Sequence, residues 1–167
     1  VATSVGLALT LRDMYGESAP KVHIIEGEGG MTPGRVAEAL AAAASSGLDN
    51  LFFHVDWNQS AIDSDRVTRE GGNAGDYVQW DPCDFLLVHG FNVIYVPDGF
   101  DFAQVREAQK KALALNNGRP TGIVYRTVKG WKYGIEGRKS HGGGHKFYSD
   151  EYLQTLKPFE DVFGVNF

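Results

Sequence analysis

Short runs rich in β-branched and aromatic residues alternate along this chain with stretches of helical period, and that alternation is its strongest constraint. The runs are Lys21 to Ile25, Leu51 to Val55, Phe91 to Val96 and Gly122 to Thr127. Val5, Leu7, Ala8 and Leu11 have helical spacing and predict a helix over residues 1–15, stopped by Gly16. Val36, Ala39, Leu40 and Ala43 stripe a second helix, expected to be capped by Thr32, to take Pro33 as its first residue and to end at Gly47. Val105, Ala108 and Ala112 mark a third, running from an Asp101 cap through Leu115. Shorter helices are expected over 84–89 and 149–156, and residues 56–82 and 129–146 read as long loops without period. Strands that alternate with helices predict an α/β fold with a mostly parallel sheet.

In such a sheet, ligands bind beyond the carboxyl ends of the strands. The chemically suggestive loops all leave from those ends: Gly27-Glu28-Gly29-Gly30, Asp56-Trp57-Asn58-Gln59, Asp98-Gly99-Phe100-Asp101 and Lys129-Gly130-Trp131. The first is the most informative. A strand, a glycine loop and a helix in that order offer backbone N–H groups to a phosphate. This loop also carries a carboxylate, Glu28, and phosphate repels carboxylate unless a cation lies between them. Mg²⁺ usually binds through one or two carboxylates plus substrate phosphates, so the pairing predicts a diphosphate–metal site. Asn58, at the end of the next strand, is a hard ligand suited to Mg²⁺ or Ca²⁺, and a main-chain carbonyl just after it can join.

Composition narrows the field. At 167 residues the chain is long enough for one domain with a substantial core, and residues 1–167 are expected to form one. The net charge of −5 discourages nucleic-acid binding, and the single cysteine, Cys83, excludes an internal disulfide. No apolar run approaches membrane-spanning length and no signal peptide is visible, which makes the cytoplasm the expected compartment. The Rossmann fingerprint fails because Thr32 stands where its third glycine belongs, and no Walker A sequence occurs.

Gly27-Glu28-Gly29, followed some thirty positions later by Asn58, resembles the thiamine-diphosphate motif, a Gly-Asp-Gly followed by an Asn. Leu48-Asp49-Asn50-Leu51 with Val55-Asp56-x-Asn58, Gly90-Phe91-Asn92-Val93-Ile94 leading into Asp98-Gly99-Phe100-Asp101, and Thr127-Val128-Lys129-Gly130 resemble the transketolase family in order and spacing. The resemblance covers roughly residues 2 to 160 and the later part of that family's diphosphate-binding domain. It implies a thiamine-diphosphate-binding fold, a three-layer sandwich. It also implies thiamine diphosphate as cofactor, with Mg²⁺ or Ca²⁺ held by Glu28, Asn58 and the Ser60 carbonyl. Gly27, Gly29, Gly30 and Asn58 would line the cofactor, the Gly29 N–H touching the diphosphate. Glu38 falls on a glutamate of the family's proton-relay network at the subunit interface. His141 or His145 would supply the active-site histidine, and the residues leave open which. The sequence departs from the family pattern at three points. Glu28 stands for Asp, Pro33 stands for a relay glutamate, and one extra residue separates His141 from His145.

The reading that follows is part of a transketolase-like transferase, moving a two-carbon ketol unit between sugar phosphates. The pyrimidine-binding domain or subunit is an expected partner in a homo- or hetero-oligomer, and no nucleic acid or membrane is expected. Lys129, Lys132, Arg138 and Lys139 could face a substrate phosphate. The alternatives are the first component of a pyruvate dehydrogenase, acting on a 2-oxo acid, and a non-catalytic relative with a role in assembly or regulation.

Overall fold

The computed structural model describes residues 1–60, 78, 80–137 and 144–166. They fall into two compact units. The first comprises Val1–Trp57 and Val78–Thr127; the second comprises Asn58–Tyr77 and Val128–Phe167, of which 58–60, 128–137 and 144–166 are described.

The first unit is an α/β layer structure. Its strands are β1 (Val22–Gly27), β2 (Leu51–Trp57), β3 (Asn92–Val96) and β4 (Thr121–Arg126), all parallel, in the order β1-β2-β4-β3. Its helices are α1 (Ala2–Tyr15), α2 (Gly34–Ser45), α3 (Pro82–Val88) and α4 (Phe102–Ala114). Alternation along β2 sorts its side chains between the faces. Phe53, Val55 and Trp57 pack into one cluster with Val5 and Ala8 of α1, Leu86 of α3 and the α2 stripe Val36, Ala39, Leu40 and Ala43. Phe52 turns the other way, joining Ile123 and Val96 against Ala108 and Ala112 of α4. The sheet is thus covered on one face by α1, α2 and α3 and on the other by α4.

Several helix boundaries differ from expectation, each for a local reason. Thr32 does not cap α2: its hydroxyl donates to the Gly29 carbonyl (2.8 Å), and Pro33, in extended backbone, takes the cap position instead. The stretch expected as a loop from 56 gives its first two residues, Asp56 and Trp57, to β2, and its last, Pro82, begins α3 behind an Asp81 cap. Residues 61–77 and 79 of that stretch lie outside the described residues. Asp101 caps α4 as expected, its carboxylate accepting from the N–H groups of Ala103 and Gln104.

In the second unit, α5 (Asp150–Phe163) is capped by the Ser149 hydroxyl and runs a further two turns beyond the expected end, with Pro158 inside it. Among the described residues no helix is long and apolar enough to cross a membrane.

Candidate functional site

Parallel pairing brings the carboxyl end of β1 beside that of β2, with Gly27 opposite Asp56. The end of β2 is also tied to β4. The Asp56 carboxylate accepts from the Thr127 hydroxyl, the Trp57 carbonyl accepts from the Thr127 N–H (3.2 Å), and Arg126 donates to the same carbonyl (2.6 Å) while lying over the Trp57 ring. Arg126 did not stand out in the sequence, because its partner Trp57 lies some seventy residues away.

The glycine loop itself is a 3₁₀ turn, Glu28–Met31, entered from extended Gly27. Glu28 is 1% exposed. A carboxylate is seldom so buried without compensation, and here it lies in the turn that follows a parallel strand. Glu26, which the sequence reading passed over, shapes the same turn. Its carboxylate accepts from the Gly27 N–H (3.1 Å) and folds back over Gly30, where any Cβ would run into it.

Asn58, Gln59 and Ser60 follow β2 in the chain and belong to the second unit. All three are buried. The Asn58 side-chain oxygen accepts from the Ser60 N–H (2.9 Å), and Gln59 between them has φ 54°, so the segment is a tight turn built on the asparagine side chain. Glu38 lies exposed on α2, in the turn after its first. Glu28, the amide of Asn58 and a Ser60 carbonyl are all hard oxygen donors, the type that Mg²⁺ and Ca²⁺ take. The donor chemistry therefore fits the implied cation.

Of the two candidate histidines, His141 lies outside the described residues, as do Arg138 and Lys139. His145 is half-buried, with its ring against Tyr133. It lines a hollow of ≈ 550 Å³ with Lys132, Glu136, Glu151 and Gln154. Lys132 also extends over the Trp131 ring, 4.4 Å from its centre.

A polar cluster that no sequence signal indicated crosses the α4 side of the sheet. His23 on β1, His54 on β2 and Tyr125 on β4 join in a row, with Nδ1 of His23 2.9 Å from Nε2 of His54 and Nδ1 of His54 2.9 Å from the Tyr125 hydroxyl. Gln109 of α4 donates to that hydroxyl (3.4 Å). These side chains, with Ile25, Phe52 and Leu113, line a hollow of ≈ 390 Å³. Burial, then the neighbouring His23, pushes the His54 pKa down.

Comparison with known proteins agrees with this geometry. Residues 1–157 match the family model described as transketolase, thiamine diphosphate binding domain. The chain is 28% identical over 130 residues to the transketolase of Physarum polycephalum, covering 76% of this chain and 18% of that protein. Among solved structures it resembles transketolase from Campylobacter jejuni with TM-score 0.75 and 21% identity, covering 99% of this chain and 24% of that one. Transketolase from Pichia stipitis, in complex with sedoheptulose-7-phosphate, gives TM-score 0.78 and 20% identity over 95% of this chain and 23% of that one. The chain thus spans about a fifth to a quarter of the length of these relatives. At this identity the structural likeness speaks for the α/β fold, and the family model reaches nearly the whole chain: it belongs to the transketolase thiamine-diphosphate-binding domain family.

Proposed function

We propose that this chain forms the diphosphate- and metal-binding part of a transketolase-like transferase, which moves a two-carbon ketol unit between sugar phosphates. The observation that carries this reading is the buried carboxylate of Glu28 in a glycine turn at the carboxyl end of β1, within a stretch that matches the family model. In this reading Glu28, Asn58 and the Ser60 carbonyl take a Mg²⁺ ion, the assignment for Asn58 and Ser60 coming from the sequence resemblance. The Gly29 N–H meets the diphosphate, and Glu38 serves the relay toward a partner subunit. Thiamine diphosphate, when bound, supplies a carbon nucleophile once its thiazolium proton is lost. The chain's own residues bind and orient. The glutamate that drives proton loss in the family belongs to the pyrimidine-binding domain, so activity requires that domain, in a homo- or hetero-oligomer.

Pro33 favours a second reading. It stands at the cap of α2, where the family has a relay glutamate, and a proline side chain carries no proton. A non-catalytic relative would keep the fold and lose the relay. Calorimetry of thiamine diphosphate with and without Mg²⁺, on the complete assembly, together with turnover of a ketose phosphate, tests both. Mg²⁺-dependent binding with turnover supports the transferase. Binding without turnover of any ketose phosphate or 2-oxo acid supports the non-catalytic relative. Binding indifferent to both the metal and Asn58→Ala rules out the metal site.

A further inference from the structure

Tyr133 and His145 grip each other at two points. The His145 backbone N–H donates to the Tyr133 hydroxyl (3.1 Å), and Nε2 of the His145 ring lies 2.8 Å from the Tyr133 carbonyl. The two rings also meet, with centres 5.0 Å apart. Bare backbone on either side makes room for this. A Cβ on Gly144 would run into the Tyr133 hydroxyl, and one on Gly134, which has φ +73°, would come within 3.3 Å of His145 Nε2.

The contact fixes the ring chemically as well as sterically. A main-chain carbonyl can only accept, so the proton between them sits on Nε2, and in neutral imidazole the lone pair then sits on Nδ1. The hydroxyl contact orients the backbone that carries the ring. One tyrosine thereby sets both the direction and the tautomer of the histidine.

We propose that Tyr133 is a positioning residue for His145, and that His145 works on substrate through Nδ1. This rests on the ketol-transfer reading, in which the family resemblance puts a histidine beside cofactor and substrate. His145 is the candidate histidine that the described residues include. Neutral Nδ1 accepts a hydrogen bond from a hydroxyl of the ketose phosphate and can take its proton. That proton leaves the hydroxyl oxygen with the O–H electron pair remaining there, and the ring becomes imidazolium.

The test uses the complete enzyme containing this chain, in wild-type, Tyr133→Phe, Gly144→Ala and doubly substituted forms. Nitrogen-15 NMR of labelled histidine reads the tautomer, with the His145 signal identified by its loss in His145→Gln. Steady-state turnover of a ketose phosphate is followed across pH. The expected spectrum is the Nε2–H tautomer in wild type. Tyr133→Phe should lower kcat roughly 10-fold, within the about 100-fold that a 1 Å misplacement can cost, shift the acid limb of the pH profile and leave thiamine diphosphate affinity unchanged. Gly144→Ala should do the same. The double variant should be no worse than the poorer single one, because removing the hydroxyl removes the obstacle to the alanine. An active wild type with the Nδ1–H tautomer, an unaffected Tyr133→Phe, or losses that multiply in the double variant would overturn this assignment alone. A wild type that turns over no ketose phosphate overturns the functional reading and the role of Tyr133 with it.

Discussion

His23 and His54, on adjacent parallel strands, meet edge to edge: Nδ1 of one lies 2.9 Å from Nε2 of the other, with ring centres 5.2 Å apart. Gln109 donates to the Tyr125 oxygen, and Nδ1 of His54 lies 2.9 Å from the same oxygen. Burial and the neighbouring His23 both disfavour the charged form of His54.

That arrangement predicts a pH dependence of stability. The folded pKa of His54 is lowered from 6.5, by burial first and by His23 second. Between the lowered value and 6.5 the unfolded chain binds more protons than the folded one, so stability rises with pH across that window. The contribution is complete above 6.5 and is lost as pH falls through the window. Urea midpoints measured at pH 8 and at pH 5 should fall further in wild type than in His54→Phe. Equal falls in the two proteins would refute the assignment to His54.

Cys83 gives a prediction of reactivity. Burial first, then the carboxylate of Asp81, which faces it from the cap of α3, and that of Asp84 raise the thiol to about 12. The thiolate is the nucleophile, so alkylation by iodoacetamide at pH 8 should be slow in the folded protein and quicken on unfolding. Asp81→Asn removes a negative charge and should speed the folded-state reaction. A folded-state rate equal to that of a free thiol would contradict this.

Leu40 tests the packing under the sheet. It is fully buried on α2, in a cluster with Leu51, Phe53 and Val55 of β2. Leu40→Ala should cost about 2–5 kcal/mol, the usual range for a buried leucine, read from the denaturation midpoint. A loss below about 1 kcal/mol would mean that the site collapses around the missing atoms.

The α2 stripe shows what the sequence made legible. All four of its apolar positions are buried, and the glycine turn does leave from the end of a strand, because period and turn chemistry are local properties. The end of α5 was not legible. Pro158 lies two residues past the expected end at 156, and a proline in the body of a helix costs stability without always ending it, so α5 continues to Phe163. The row from His23 through His54 to Tyr125 was not legible either. Its members stand on separate strands, and only the pairing of β1 with β2 and of β2 with β4 places them side by side. In the candidate site, Glu28 could be picked from its neighbours, whereas Tyr133 had no distinguishing neighbour and is known only by what it touches.

The last prediction concerns the charge at Glu28. Its side chain is a methylene longer than the aspartate of the family motif and is nearly all withdrawn from solvent in the turn after β1. If it binds the cation, charge matters more than length. Glu28→Gln keeps the shape and removes the charge, and should weaken Mg²⁺-dependent binding of thiamine diphosphate to the complete enzyme. The loss should exceed the about 10–100-fold typical of changes in groups that only support a metal ligand. Glu28→Asp restores the family's residue and should keep metal dependence. Calorimetry across a Mg²⁺ titration separates the cases. If Glu28→Gln binds the cofactor with wild-type metal dependence, Glu28 is no ligand, and its burial serves the turn alone.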